Sequence, residues 1–407
     1  MSNVHRILLA LVVGLLLGIA SAAVGGEWPE RGIALAEPIG AIWLNALRMT
    51  IVPLVVSLLI TGIAGAGEAA RSSRLAGRAL GTFAILLTTS AVVGALLTPL
   101  LLTAWPLPGA AADALHVAHA ETQSPTQVPG IGEFMKALVP TNPVAAAAND
   151  AILPLIVFTS LFALALTRVS DESRQRLTAF FGAIGDVMLV MIGWILAVAP
   201  IGVLALAFVL GARSGAAAFG ALVHYIIVVS AAGVVMSLVS YLVATFGGRL
   251  SLREFSRAVA PAQAVAISTQ SSLASLPAML RSAEALRVWV ESAGVVLPLA
   301  VALFRVTGPA MNVAVVVYVA QLLGIQLGAM QIAAAVAVAA ITTFGTVSLP
   351  GQISFVTSVA PIAMAAGVPI EPLLLLVAVE NIPDIVRTFG NVTMDVAVTA
   401  TVARRRD

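Results

Sequence analysis

Long apolar runs separated by short polar segments make up most of this chain. Eight runs are long enough to cross about 30 Å of hydrocarbon as helices. They cover residues 7–25, 42–66, 79–103, 150–168, 183–211, 218–246, 292–324 and 372–402. Two further stretches, 261–280 and 335–366, are apolar but interrupted by serine, threonine, glycine and proline. The pattern predicts an all-α polytopic membrane protein with eight transmembrane helices and two re-entrant helical hairpins.

The composition supports this class and excludes several others. Of the 407 residues, 60% are hydrophobic and 10% are charged, which excludes an ordinary soluble globule. The chain has no cysteine, so disulfides and thiolate metal sites are excluded. It has no GxxxxGK(S/T) loop for ATP, and its basic residues do not cluster with aromatic ones, so no nucleic acid is expected. We expect no metal and no cofactor, and a protein driven by gradients of ions or solutes.

Arginine residues mark one side of the membrane. They occur around residues 6, 71–78, 168–176, 249–257 and 404–406, which all fall on the same side if the eight long runs are spans. The positive-inside bias then places both termini in the cytoplasm and the protein in the cytoplasmic membrane. The first run also resembles a secretory signal peptide, but its removal would put the arginine-rich loops out of phase.

The last apolar run carries a stripe of polar side chains. They recur at steps of three and four, so one face of a helix holds them all. They are Glu380, Asp384, Arg387 or Thr388, Asn391 and Asp395. An ionised group at the centre of a membrane helix costs about 2.5–3.5 kcal/mol. The stripe is therefore predicted to face a protein-lined cavity and to recognise a charged solute there.

Three interruptions of the apolar runs predict unwound backbone inside the membrane. Ser268–Pro277 and Thr342–Gln352 each combine hydroxyl residues with a Ser-Leu-Pro sequence, which makes them a weak repeat of the inverted kind. Paired interruptions point to hairpin tips at a midplane site, and two kinked helices packed through small residues are the alternative. The third, Arg305–Pro309, predicts a broken helix with an inward-facing arginine, or else an arginine that snorkels.

Six motifs occur along the chain in a fixed order. They are Asn45-Ala-Leu-Arg48-Met-Thr-Ile-Val-Pro53, Val139-Pro-Thr-Asn142-Pro, Trp194-Ile-Leu-Ala-Val-Ala-Pro200-Ile-Gly202, Ser275-Leu276-Pro277, Ser348-Leu349-Pro350-Gly351 and Asp384-x-x-Arg387-Thr388-x-x-Asn391-x-x-x-Asp395. In order and spacing they resemble the glutamate/dicarboxylate:cation symporter family, which includes the excitatory amino-acid transporters. The resemblance covers nearly the whole chain and suggests a divergent member.

The resemblance implies a homotrimer in which each subunit has a scaffold and a transport domain that moves across the bilayer like an elevator. The implied boundaries are 1–78 and 150–215 for scaffold helices 1, 2, 4 and 5, 79–103 for helix 3 and 216–402 for the rest of the transport domain, with 104–149 as an extracytoplasmic loop and 403–407 as a cytoplasmic tail. In this arrangement both hairpins belong to the transport domain.

The resemblance also implies roles for individual residues. Arg387 would hold the distal carboxylate of the substrate and Asp384 its α-amino group. The other substrate contacts would come from Ser271, Ser272, Pro350, Gly351, Gln352, Thr388 and Asn391. A cation site would use Asn391 and Asp395, and a second would lie near Thr88 and Thr89.

The chemistry of two stripe residues supports the substrate assignment by itself. A guanidinium offers paired donors to a carboxylate, and a carboxylate one turn away pairs with an ammonium group. Together they favour an acidic amino acid over a plain dicarboxylate, which Asp384 would repel. An internal Asp384–Arg387 ion pair is the structural alternative.

Helix 7 departs from the family pattern. Where the family has Asn-Met-Asp-Gly-Thr, this chain has Arg305-Val306-Thr307-Gly308-Pro309. Hard cations need several oxygen ligands, and Arg305 would repel one, so sodium coupling is not expected. We hypothesise that Arg305 pairs with Asp395 or Glu380 where the family holds a sodium ion.

A charge count makes this hypothesis concrete. The three acids Glu380, Asp384 and Asp395 outnumber the two arginines Arg305 and Arg387 by one negative charge. A proton on Glu380 or Asp395 would neutralise it, since burial disfavours a charged carboxylate. Coupling by protons, or else uncoupled transport, is therefore expected rather than coupling by sodium.

The sequence thus predicts a symporter, not an enzyme, that moves an acidic amino acid such as glutamate or aspartate, or a C4-dicarboxylate, together with a proton. Its expected partners are a small anionic substrate, a coupling ion and the lipid bilayer. Ion coupling is assigned to Thr88, Thr89, Arg305, Thr307, Glu380, Asn391 and Asp395. A sodium-coupled dicarboxylate symporter and a channel-like conductance for solutes or anions are the alternatives.

Overall fold

Helices form the regular structure of the chain. The computed structural model describes residues 3–107, 136, 138–214, 217–344 and 351–403. The helices are α1 Asn3–Val24, α2 Trp28–Ser72, α3 Arg74–Ala104, α4 Pro143–Ala148, α5 Ile152–Leu166, α6 Asp171–Ala197, α7 Ala199–Ser214, α8 Ala217–Leu242, α9 Leu252–Thr269, α10 Ser272–Ala285, α11 Val290–Leu303, α12 Thr307–Leu322, α13 Ala329–Thr343, α14 Gly351–Ala365, α15 Glu371–Leu376 and α16 Asn381–Ala403. A π-helical turn, Val243–Gly247, continues α8. The predicted all-α class is confirmed.

Six helical stretches are long and apolar enough to cross a membrane, counted over the described residues by length and composition. They are Arg6–Val24, Trp28–Arg71, Arg74–Ala104, Asp171–Ala197, Gly220–Gly247 and Val290–Leu322. Large apolar side chains such as Leu16, Leu96 and Phe246 are exposed on their outer faces. In water these faces would be unfavourable, whereas in hydrocarbon they are matched to the solvent. The chain is a multi-pass membrane protein.

Prolines divide three of the predicted spans. The run 183–211 is two helices, α6 and α7, which meet at Val198 just before Pro200. The run 372–402 is α15 and α16 with a turn between them, and Pro383 lies in the first turn of α16. Proline has no N–H for the helical ladder, so it is tolerated near a helix start and disrupts a helix interior. The predicted break in 292–324 is confirmed at residues 304–306, just before Thr307–Gly308–Pro309 opens α12.

The helices pack in two groups. In one group, α1 lies along α7, and α2 contacts α5, α6 and α7. In the other, α16 is surrounded by α8, α9, α10 and α11, while α12 contacts α3, α8, α13 and α14. The polar stripe of α16 therefore lies inside a bundle of neighbouring helices.

Two helical hairpins flank this bundle. In the first, α9 turns into α10 at Gln270, whose backbone is left-handed at φ 51°, and at Ser271, whose hydroxyl accepts the Ala274 N–H at 3.2 Å. This is an N-cap, which satisfies a free donor of the new helix. In the second, α13 packs against α14, and both contact α2 and α5. The predicted second tip, including Pro350, lies outside the described residues. The re-entrant placement of the hairpins stays a prediction.

Candidate functional site

The polar stripe of α16 is buried. Glu380 has an exposed fraction of 0%, Asp384 of 7% and Asp395 of 1%, and Thr388 and Asn391 are buried as well. Glu380 lies just before the helix, and its carbonyl accepts the Asp384 N–H at 2.9 Å, so the helical spacing extends back to it. The stripe faces the protein interior, as its insertion cost requires.

Arg387 is the centre of a cluster of buried polar groups. Its Nη2 donates to Glu380 Oε1 at 2.7 Å, and its Nη1 donates to Asn312 Oδ1 at 2.9 Å. The Arg387 Nε lies 3.6 Å from Asp384 Oδ1. The Tyr225 hydroxyl donates to the second oxygen, Glu380 Oε2, at 3.1 Å. We call these five residues the Arg387 cluster.

The main ion pair of Arg387 is not the one that the sequence suggested. An Asp384–Arg387 pair is present, but the closer carboxylate is Glu380, whose Oε1 lies 2.7 Å from Arg387 Nη2, whereas Asp384 Oδ1 lies 3.6 Å from Arg387 Nε. Sequence reasoning also missed Tyr225 of α8 and Asn312 of α12. The available signal was the presence of these polar side chains inside apolar helices, because a polar group buried there needs a partner.

Thr307 connects the helix break to α16. The Thr307 N–H donates to Asn391 Oδ1 at 3.0 Å. The Thr307 hydroxyl lies 2.7 Å from the same oxygen and 2.9 Å from the Arg387 carbonyl oxygen. Gly390 leaves room for this contact, since an added Cβ would overlap the Thr307 methyl group. The amide oxygen of Asn391 is thus already satisfied from within the chain.

Ser90 of α3 forms hydrogen bonds with the backbone at the break. Its hydroxyl donates to the Val306 carbonyl oxygen and accepts the Ala310 N–H at 3.1 Å. Thr88 and Thr89, expected beside a cation site, are instead exposed, and each donates to a carbonyl of its own helix. Successive helical residues point about 100° apart, so the structure brings Ser90 to the break and not its two neighbours.

Asp395 has a different environment from Glu380. Neither of its carboxylate oxygens accepts a hydrogen bond from any residue in the described ranges. Arg305, at the break, exerts an electrostatic attraction on Asp384 and Asp395. The interaction of Arg305 with Asp395 includes no hydrogen bond, because neither carboxylate oxygen has a hydrogen-bond partner in the described ranges. Glu380 is bonded to Arg387 and Tyr225, and the expected pairing of Arg305 with Glu380 or Asp395 stays a prediction.

The hairpin residues are placed in part. Ser271 caps α10 and Ser272 is buried at its start. The first hairpin is fixed to α16 and α8 by Gln263, whose Nε2 donates to Thr393 Oγ1 and to the Tyr241 hydroxyl, both at 2.9 Å. Gly351 and Gln352 are the first residues of α14, and the Gln352 side chain, like the whole of Pro350, lies outside the described part. Their substrate contacts stay predictions.

Known proteins match the chain over its full length. The model of the sodium:dicarboxylate symporter family matches residues 4–405. The proton/glutamate-aspartate symporter of Escherichia coli (strain K12) is 30% identical over 409 residues, covering 98% of this chain and 92% of that protein. The proton/sodium-glutamate symport protein of Bacillus subtilis (strain 168) is 28% identical over 396 residues, covering 94% and 89%. The C4-dicarboxylate transport protein of the same organism is 24% identical over 405 residues, covering 98% and 92%.

Proposed function

Because the chain belongs to the sodium:dicarboxylate symporter family, we propose that it takes up an acidic amino acid together with a proton. It is a cation-coupled symporter of acidic substrates and not an enzyme. Aspartate or glutamate is the proposed substrate, as in the name of the Escherichia coli relative. The observation that carries the proposal is the Arg387 cluster.

Arg387 is the proposed anchor for the distal carboxylate of the substrate. Its guanidinium carries five N–H donors, and two of them are given to Glu380 and Asn312. The remaining donors can still receive a carboxylate. The α-amino group of the substrate would pair with Asp384, which lies one turn before Arg387 on α16.

Glu380 is the proposed carrier of the coupling proton. A substrate carboxylate beside Arg387 would be the third carboxylate around one guanidinium, after Glu380 and Asp384. Like charges packed together in a buried site disfavour ionisation, so one of the three takes up a proton. Asp384 is needed charged for the α-amino group, which leaves Glu380. Proton and substrate then favour each other's binding, which is the thermodynamic basis of symport.

A charge balance gives the expected stoichiometry. Asp395 lacks hydrogen-bond donors in the described ranges and is best accommodated neutral, because an unpaired buried charge is costly. Glu380 and Asp384 then balance Arg305 and Arg387. An acidic amino acid adds one negative charge, and a proton on Glu380 removes it. We expect one proton for each substrate molecule and no net charge movement.

Thr307 supports protons over sodium. A sodium ion beside α16 would need several oxygen ligands in place of hydrogen bonds. The amide oxygen of Asn391 accepts the Thr307 N–H at 3.0 Å and lies 2.7 Å from its hydroxyl, and Arg305 adds a positive charge nearby. Both features oppose a bound cation at this level of the helix.

The proposed oligomeric state, orientation and movement of the protein are those implied by the resemblance to the family. We propose a homotrimer, cytoplasmic termini and an elevator movement of α3 and α8–α16 relative to α1, α2 and α4–α7. The two packing groups of helices support this division. Site-directed crosslinking between α2 and α14, which are in contact, tests it: a crosslink that leaves transport unchanged would argue against relative movement.

Uptake into proteoliposomes tests the proposed function. An inward proton gradient should drive accumulation of aspartate in the absence of sodium, and the Glu380→Gln variant should exchange aspartate without responding to the gradient. Glu172→Gln is the matched control, because Glu172 is exposed and pairs with Arg176 on its own helix, α6, outside the cluster. Uptake that requires sodium and ignores pH would refute the proposal.

A C4-dicarboxylate is the second candidate. Arg305 exerts an attraction on Asp384, so two guanidinium groups are near this part of the site. Each could receive one carboxylate of a substrate that has no ammonium group. Competition of succinate and aspartate for uptake separates the two: with succinate, charge balance requires two protons for each molecule.

A further inference from the structure

Tyr225 occupies an unusual position in the Arg387 cluster. It is fully buried in α8, and its ring packs edge-to-face on Tyr318 with the ring centroids 5.4 Å apart. Its hydroxyl donates to Glu380 Oε2 at 3.1 Å, while Arg387 bonds the other oxygen of the same carboxylate at 2.7 Å. Each oxygen of Glu380 therefore has its own donor.

This arrangement favours one protonation state of Glu380. A phenol donates a single proton, and hydrogen bonds to an ionised acceptor are stronger than those to a neutral one. The Tyr225 bond thus stabilises ionised Glu380 and weakens when Glu380 takes up a proton. A donor placed here raises the proton concentration needed to protonate the carboxylate.

We propose that Tyr225 is a positioning residue that sets the pH at which Glu380 accepts the coupling proton. The inference rests on the proposed function, in which Glu380 carries that proton. Tyr225 itself contacts neither of the groups assigned to bind substrate. Its hydroxyl donates to the Glu380 carboxylate, and this hydrogen bond is the proposed route of its effect.

The other groups around Glu380 are accounted for. Among the described residues, its carboxylate interacts electrostatically with Arg387 and Asp384 of α16 and with Tyr225 of α8. From α12, Tyr318 lies against the Tyr225 ring, and its hydroxyl donates to the Ala221 carbonyl oxygen at 2.8 Å. Asn312 of α12 is uncharged and bonds Arg387. Of the described groups that bond Glu380 directly, Tyr225 is the one that can be changed without altering a charge beside the carboxylate or a direct bond to Arg387.

The test is the Tyr225→Phe variant, which keeps the buried ring. Losing a hydrogen bond to a charged group should move the midpoint of the pH dependence of aspartate uptake by about one to two pH units. The direction is alkaline, because the ionised state is the one that loses a bond. At a pH well above both midpoints, aspartate should therefore bind roughly tenfold more tightly to the variant if the midpoint moves by one pH unit. A packing defect would weaken binding instead.

Two matched controls exist, because the chain has three tyrosines. Tyr318→Phe removes a buried hydroxyl of the same aromatic cluster, and Tyr241→Phe removes one that accepts from Gln263. Both should leave the pH midpoint unchanged. A Tyr225→Phe profile that coincides with the wild type, or that moves no further than the Tyr318→Phe profile, would overturn the inference.

The double variant separates this inference from the proposed function. In a Glu380→Gln background, Tyr225→Phe should have no further effect on the pH profile, since the carboxylate that the Tyr225 hydroxyl bonds is no longer present. If Glu380→Gln abolishes the pH dependence while Tyr225→Phe changes nothing, the proposed function stands and the role of Tyr225 falls. If Glu380→Gln keeps the full pH dependence, the coupling carboxylate has been assigned wrongly and both fall.

Discussion

The two ends of the stripe on α16 are built from the same kind of residue and differ in their partners. Glu380 at one end and Asp395 at the other are both almost completely buried, with exposed fractions of 0% and 1%. Glu380 receives hydrogen bonds from Arg387 and Tyr225, whereas Asp395 receives none from the described residues. The two carboxylates are thus equally buried, but among the described residues only Glu380 has hydrogen-bond donors.

This difference indicates which carboxylate can couple two ligands. A carboxylate with hydrogen-bond donors has two states of comparable free energy. It is either ionised and bonded to the donors, or protonated and released from them. A ligand that competes for one of the donors shifts the population towards the protonated state. A buried carboxylate without partners is held in the neutral state by desolvation alone. We therefore expect transport to depend on Glu380 through pH and on Asp395 only through packing.

Removing Arg387 should have the largest effect on this contrast. Arg387→Ala leaves Glu380 and Asp384 as buried carboxylates without their counter-ion, which costs about 3–5 kcal/mol of stability, and it removes the proposed substrate anchor. We expect uptake to be lost and thermal unfolding in detergent to occur at a markedly lower temperature.

Arg176→Ala is the matched control for Arg387→Ala. The Arg176 side chain is 78% exposed and pairs with Glu172 on the surface of α6. Arg176→Ala should change the free energy of unfolding by no more than about 0.5 kcal/mol and leave uptake intact. Equal losses in the two variants would mean that the Arg387 cluster is no more important than a surface ion pair.

Replacing Arg305 should have the next largest effect, because it removes the cation that acts on Asp395 at one end of the stripe and on Asp384 in the Arg387 cluster. Arg305→Met leaves Asp384 and Asp395 without this attraction, so the site carries one more negative charge. We expect either loss of uptake or a new requirement for sodium, measured as uptake with and without a sodium gradient. Unchanged kinetics would mean that Arg305 only extends towards the membrane surface.

The burial of the stripe could be predicted from spacing, but the pairing within it could not. The cost of an ionised group in hydrocarbon leaves a five-residue stripe few places except the protein interior. Tyr225 and Asn312, however, lie 155 and 75 positions from the residues that they bond. Such contacts depend on which helix packs beside α16, and no local pattern encodes that.

Some of the backbone breaks could likewise be predicted from the sequence, and others could not. The turn at Gln270 and Ser271 and the interruption at 304–306 follow from hydroxyl residues and proline in apolar runs, and both were predictable. The breaks at Val198 and before Pro383 were missed, because a proline inside a long apolar run is also compatible with one continuous helix, as at Pro53 in α2 and Pro99 in α3. The choice of Ser90 over Thr88 and Thr89 depends on the rotation of α3 against α12, which three adjacent hydroxyl residues leave undetermined.

The Thr307 hydroxyl should have a smaller effect, since it joins the break to the middle of the stripe without carrying charge. Thr307→Val keeps the shape and the N–H bond to Asn391 but removes the hydroxyl bond, which should cost about 1 kcal/mol. Thr399→Val is the control, because the Thr399 hydroxyl donates only to the Asp395 carbonyl of its own helix. If the two variants unfold at the same temperature, the contact between Thr307 and α16 adds no stability.

Neutralising Asp395 should have the smallest effect of all, and it tests the contrast most sharply. If Asp395 already carries a proton, Asp395→Asn replaces a neutral carboxyl by a neutral amide of nearly the same shape. Uptake, its pH midpoint and the unfolding temperature should then stay close to the wild type, whereas Glu380→Gln, an equally small change at the other end of the same helix, should remove the response to pH. Loss of the pH response in Asp395→Asn would transfer the coupling proton to that end of the stripe, and a loss seen only in sodium would indicate a cation site there. Because burial is equal at both positions, a difference between the two variants reflects their different partners: the hydrogen bonds from Arg387 and Tyr225 to Glu380, and the electrostatic attraction of Arg305 on Asp395.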